Sequence, residues 1–76
     1  NSIFNYIEIL NSNLGVVSKD SSVVNIKNVT FQNTDLCFSA YNKKQEFWGG
    51  KIIVAQHNCQ LDKMYQQNNS LIEILQ

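Results

Sequence analysis

"FQNTDLCFSAYN", Phe31–Asn42, repeats the pattern of "ILNSNLGVVSKD", Ile9–Asp20, at an offset of 22 residues. Asn11 falls on Asn33, Ser12 on Thr34, Asn13 on Asp35, Leu14 on Leu36, Val16 on Phe38 and Asp20 on Asn42. The match extends upstream, with Phe4 on Ile26 and Ile7 on Val29. Identity is modest, but side-chain size and polarity agree at most positions. A fixed period in this range is the signature of a repeat architecture.

Within each repeat the pattern alternates. "VVNIKNVTF" turns Val24, Ile26, Val29 and Phe31 to one side, with a skip at Asn28, and "YIEIL" alternates through Ile7 and Ile9. "KIIVAQHNC" offers Ile52 and Val54, followed by His57 and Cys59, and "LIEIL" sets Ile72 and Ile74 against Leu71 and Leu75. Period-two runs of β-branched residues cut by Asn and Ser indicate short strands. Two or three such strands in about 22 residues predict an all-β chain: a right-handed parallel β-helix, or solenoid, of about three coils. Like residues then stack about 4.8 Å apart. Asn11 and Asn33 would form an amide ladder at a corner, as stacked amides do in cross-β structures.

After Asn42 the period breaks. Aligning Phe31 with Cys59 needs an offset of 28, so the extra residues fall within 42–50, a loop insertion in one coil. The segment "NCQLDKMYQQNNSLIEILQ" also admits a helical reading, with Leu61, Met64 and Tyr65 on one side. A short terminal helix there would cover an exposed edge.

Size and composition bound the function. Seventy-six residues make a single segment, 1–76, whose fraction of buried surface is only about 60%. The abrupt start at Asn1 and the stop inside an apolar run read as a piece of a larger protein. Six Lys balance six Asp and Glu, with no Arg and no Pro. Without a basic excess to neutralise phosphates, nucleic acid is not an expected partner. No apolar run approaches the roughly 20 residues of a membrane helix, so no membrane insertion is expected. The abundant Asn suits tight turns between strands better than long helices.

Three elements, "GVVSKDSS" (Gly15–Ser22), "IKNVTFQN" (Ile26–Asn33) and "AYNKKQEFWGG" (Ala40–Gly50), carry a resemblance. The stretch from Asn13 to Val54 is similar to β-helix repeat segments of large bacterial surface or secreted proteins. Some of these accompany regions like the spore-coat-protein-H kinase family. The resemblance implies a solenoid fold and an extracellular or cell-surface setting. It implies no activity, because no phosphate-cradling loop or metal-binding carboxylate cluster accompanies it here.

The residues themselves offer little catalysis. Glycoside hydrolases need paired carboxylates at controlled separation, and Glu8, Asp20, Asp35, Glu46, Asp62 and Glu73 are scattered in this alignment. No catalytic residue, metal ligand set or cofactor is assigned. A fragment of a polysaccharide-active enzyme is the least favoured reading. His57 lacks an evident nucleophile or orienting acid. Cys37 and Cys59 fall at different positions around the coil and read as buried core thiols, with a disulfide the lesser alternative. "NVT" and "NNS" match the glycosylation acceptor pattern but arise easily in so Asn-rich a chain.

The favoured role is a structural or interaction segment whose partners are flanking coils, of the same chain or another subunit. The alternative is a carbohydrate-binding module using Tyr41, Lys43, Lys44, Glu46 and Trp48, with a glycan stacked on the aromatic rings. Gly49 and Gly50 would turn the chain sharply back into the next strand. Under the structural reading Phe47 or Trp48 folds down to shield the core, and Lys43 or Lys44 pairs with Glu46 or Asp20.

Overall fold

The computed structural model describes residues 1–43, 48–67 and 69–75. In chain order it contains β1 (Ser2–Phe4), β2 (Ile7–Lys19), β3 (Val23–Tyr41), β4 (Lys51–His57), a 3-10 turn (Leu61–Lys63), β5 (Met64–Gln66) and β6 (Leu71–Ile74). Every pairing between them is parallel. Parallel neighbours ordinarily need a crossover of a dozen residues or more, yet only three residues link β2 to β3. The long strands resolve this by bending, so that each is itself most of a coil and the short link closes the turn.

The register measures each coil. β1 and β2 lie on β3 at an offset of 22, as in Phe4 on Ile26 and Val16 on Phe38. β3 meets β4 at 28, with Ile26 on Val54, and β4 meets β6 at 20, with Val54 on Ile74. Coil 1 is therefore residues 1–22, coil 2 is 23–50, coil 3 is 51–70, and a fourth begins at Leu71. The chain is an all-β solenoid of about three turns.

The core is a set of vertical columns. Phe4, Ile26, Val54 and Ile74 form one column, and Val16, Phe38 and Met64 another. Val29, Phe38, Ala40, Ile52 and Val54 are fully buried. Phe38 is the hub: the rings of Phe31 and His57 meet it edge-on, at centroid distances of 5.2 and 5.7 Å. Edge-to-face contacts of this kind add to the burial itself. His57 is thus a packed histidine, and its Nδ1 accepts the Cys59 backbone N–H at 2.9 Å.

Asn makes the corner. Asn11 and Asn33 have φ of 54° and 55°, the left-handed region that Asn tolerates better than other side chains. Asn33 Nδ2 donates to Asn11 Oδ1 at 3.0 Å. Corner geometry and side-chain ladder therefore demand the same residue type in successive coils.

Coil 3 is the irregular one. The offset of 28 holds through Val29 on His57, then falls to 26 at Phe38 on Met64. Asn58 ends the regular stretch by bonding both backbone groups of Phe31, accepting from its N–H at 2.7 Å and donating to its carbonyl at 3.0 Å. Two residues fewer then cover the same side of the coil. The shortcut draws Cys59 across to Cys37, where the two form a disulfide with Cα atoms 6.1 Å apart. This corrects the expectation of core thiols. The alignment set the two cysteines at different positions around the coil; Asn58 does sit on Phe31, but the Phe31 ring reaches Gly15, the counterpart of Cys37 one coil away, so those two positions face each other across the narrow interior. The helical alternative for the last segment also fails. Gln60 and Met64 flank the 3-10 turn in extended conformation. Beyond it Met64, Ile72 and Ile74 take their places in the columns, so parallel pairing outcompetes a helix that would have removed them from the core.

Two outcomes are expected. Asn33→Ala should lower unfolding free energy by about 1–2 kcal/mol, since Ala suffers in a left-handed position and the amide contact is lost. Asn33→Gly should cost clearly less, and urea denaturation of both variants decides this. Replacing Cys37 and Cys59 together by Ser should lower stability by about 3 kcal/mol for a closed loop of this length, read as a shift of the urea midpoint.

Candidate functional site

The corner that closes each coil is where the coils differ most. Three residues separate Lys19 from Val23 in coil 1 and Gln67 from Leu71 in coil 3, whereas nine separate Tyr41 from Lys51 in coil 2. Asp20, Ser21 and Asn69 have positive φ, so the short versions are tight turns in the left-handed region. The polar run "KDSS" between two apolar strands was the sequence signal of the coil-1 turn.

The insertion is held by both stems. The Tyr41 carbonyl accepts from Asp20 N at 3.2 Å and from Gly50 N at 3.0 Å, which pins entry and exit to one point. On the entry side Lys43 N donates to Asp20 Oδ1 at 2.6 Å, and Asn42 N donates to Gln67 Oε1 at 3.0 Å. On the exit side the Trp48 carbonyl accepts from Ser21 N at 2.8 Å and from Ser21 Oγ at 3.3 Å. Gly49 N then donates to the Asn69 carbonyl at 3.0 Å. Coil 1 and coil 3 therefore both grip the loop of coil 2.

Trp48 is 74% exposed although its backbone is anchored. It does not shield the core, contrary to the structural expectation for this residue. Buried Gly49 and Gly50 occupy the place against the coil that a larger side chain would need. Tyr41 is half-buried and Lys43 exposed. Of the candidate ligand-binding residues, Tyr41, Lys43 and Trp48 lie on the two anchored stems. Lys44 and Glu46, with Phe47, lie outside the described residues.

The glycines are required for a reason other than the expected one. Neither has positive φ, so they do not serve as a left-handed turn. They permit close approach: a Cβ on Gly49 would meet Ser70 Oγ and the Asn69 carbonyl, and one on Gly50 would meet the Ser18 carbonyl and lie 2.6 Å from Lys19 N.

Behind them sits a hydroxyl cluster that sequence reading did not single out. Ser18 is buried, donates to the Ser22 carbonyl at 2.9 Å, and accepts from Lys51 N at 3.0 Å. Ser22 Oγ accepts from Lys19 N at 2.9 Å. Ser70 Oγ is buried beside Gly49 with no hydrogen-bond partner among the described residues. The Ser18 and Ser22 hydroxyls satisfy backbone groups of this corner, a structural use.

A recess of about 150 Å³ lies beside the disulfide and is lined by Phe31, Asn33, Thr34, Asn58, Gln60 and Lys63. Lys63 Nζ donates there to the Thr34 carbonyl at 3.2 Å. Among the described residues no three of His, Cys, Asp or Glu come together as a metal-binding group. Comparison with family models, curated proteins and solved structures returns no match.

Gly50→Ala should destabilise the chain by about 2–3 kcal/mol, because the added methyl meets backbone. Trp48→Ala should change stability by no more than about 0.5 kcal/mol. Thermal or urea unfolding of the two variants, side by side, tests the division between anchored stem and exposed indole.

Proposed function

We propose that this chain is a structural and interaction segment of a β-solenoid, with no catalysis of its own, whose ends stack further coils. One observation carries the reading. The outer edge of β2, thirteen residues long, has no strand partner among the described residues. Beneath it the hydrophobic interior opens to solvent as a cavity of about 510 Å³ lined by Phe4, Ile7, Ile9, Val16, Val17 and Val24. A long apolar edge of this kind is a template for strand pairing.

The setting we propose is a bacterial surface or secreted protein. The resemblance of Asn13–Val54 to repeat segments of such proteins supports it. So does the Cys37–Cys59 disulfide, a bond that persists in oxidising compartments. A second reading, glycan binding at the coil-2 insertion, is favoured by the exposure of Trp48 on a fixed backbone. Titration of tryptophan fluorescence with oligosaccharides tests that reading, and an unmoved spectrum across a glycan panel removes it.

For the principal reading, residues 1–22 are duplicated ahead of Asn1. If the end stacks coils, the extra segment joins the fold, the unfolding midpoint rises, and the urea m-value grows by about a quarter in step with the added surface. An added segment that leaves both values unchanged and exchanges its amides freely would overturn the reading.

A further inference from the structure

We infer that the recess beside the Cys37–Cys59 bond is a binding site for a small organic anion, a carboxylate with a neighbouring hydroxyl, held by the ammonium of Lys63. The site is separate from the coil-2 insertion and from the open ends of the solenoid.

The recess follows from the uneven coils. Between His57 and Met64 the chain uses two residues fewer than coil 2 uses between Val29 and Phe38. Asn11 and Asn33 stack at the corner, but coil 3 has no third Asn to continue the series, and residues 59–61 pass there instead. The hollow at that corner measures about 150 Å³. A cavity of this size accommodates a benzene ring, so a ligand of about six heavy atoms fits. Its walls are fixed before any ligand arrives. Asn58 is bonded to both backbone groups of Phe31, Asn33 to Asn11, and Cys59 to Cys37. Polar groups held in this way bind without a further ordering cost.

Charge is where the recess is unbalanced. Lys63 is half-buried and is the one charged residue of the lining among the described residues. Its Nζ donates to the Thr34 carbonyl at 3.2 Å. That partner is neutral, and it leaves two of the three ammonium N–H groups to spare. Asp35 and Asp62, next in sequence to Thr34 and Lys63, are exposed and do not line the recess. Neither forms an ion pair with Lys63 among the described residues. A partly desolvated ammonium without a counter-charge favours an anion, and charge-assisted hydrogen bonds are the strong ones. Two further groups refine the ligand. The side-chain amide of Gln60 is unengaged, and Asn33 Oδ1 accepts from no group, among the described residues. The first can donate to a carboxylate oxygen. The second can accept from a hydroxyl, which chloride and sulfate lack. A few convergent polar groups in a concave site are what fix a small ligand's orientation.

The test titrates lactate into the intact, disulfide-bonded chain at low ionic strength and follows the backbone amides by NMR. Saturable millimolar binding is expected, with shifts confined to residues 31–34 and 58–63. Lactamide, the uncharged counterpart, should bind at least about tenfold more weakly, since the charge-assisted bond is lost. Acetate, which lacks the hydroxyl, should bind about threefold more weakly than lactate. Lys63→Gln should weaken lactate binding at least about tenfold. Its amide can still donate to the Thr34 carbonyl but carries no charge, so a purely structural role for Lys63 would leave the titration unmoved. Lactamide or acetate binding as well as lactate, shifts spread over Lys19, Lys27 and Lys51, or lactate binding unchanged in the variant each overturns the inference. The comparison of lactate with lactamide uses the unaltered chain, so it decides the question whether or not the variant folds.

Discussion

Parallel stacking places each side chain of a paired strand directly over its counterpart one coil away, and the rest of the structure depends on that constraint. A residue must suit its own position and also match what lies above and below it. Inside, this yields columns in which Phe4, Ile26, Val54 and Ile74 succeed one another. At the corner it yields Asn over Asn, where one residue type meets both the backbone conformation and the side-chain bond. Each level of the sequence points to the same answer, which is how a short chain with a small core can specify a single fold.

The columns also limit where irregularity is allowed. Coil 2 gains six residues and coil 3 loses two, yet neither change disturbs the columns, because both fall between the strands that build them. The gain is absorbed at the closing corner, where hydrogen bonds from coils 1 and 3 hold the stems. The loss is absorbed between His57 and Met64, where Asn58 and the Cys37–Cys59 bond replace the strand pairing that the shorter path forgoes.

Much of this was legible in the sequence. The pairing of Phe4 with Ile26, Ile7 with Val29 and Val16 with Phe38 could be read directly, since a period of 22 shows itself wherever inward residues recur. The step to 28 at the insertion could be read for the same reason. What escaped was local and three-dimensional. The disulfide joins positions that lie apart around the coil and face each other across the interior, a relation that a stacking alignment does not record. The glycine pair read as a turn because two consecutive glycines usually supply backbone freedom, whereas here the crowding atoms come from Ser18 and Ser70, distant in sequence. The exposure of Trp48 was likewise invisible, since an aromatic beside glycines is equally suited to covering a core or facing solvent.

The glycine-seated exit of the insertion has an evolutionary corollary. Gly49 and Gly50 fix where the chain re-enters the solenoid, and Tyr41 fixes where it leaves, so the coil register is indifferent to how many residues lie between. Sequence at that corner can drift, lengthen or be exchanged under selection for whatever it touches, without renegotiating the columns beneath. Constraint at this corner is therefore expected to concentrate on Tyr41, Gly49 and Gly50, the residues that seat the stems.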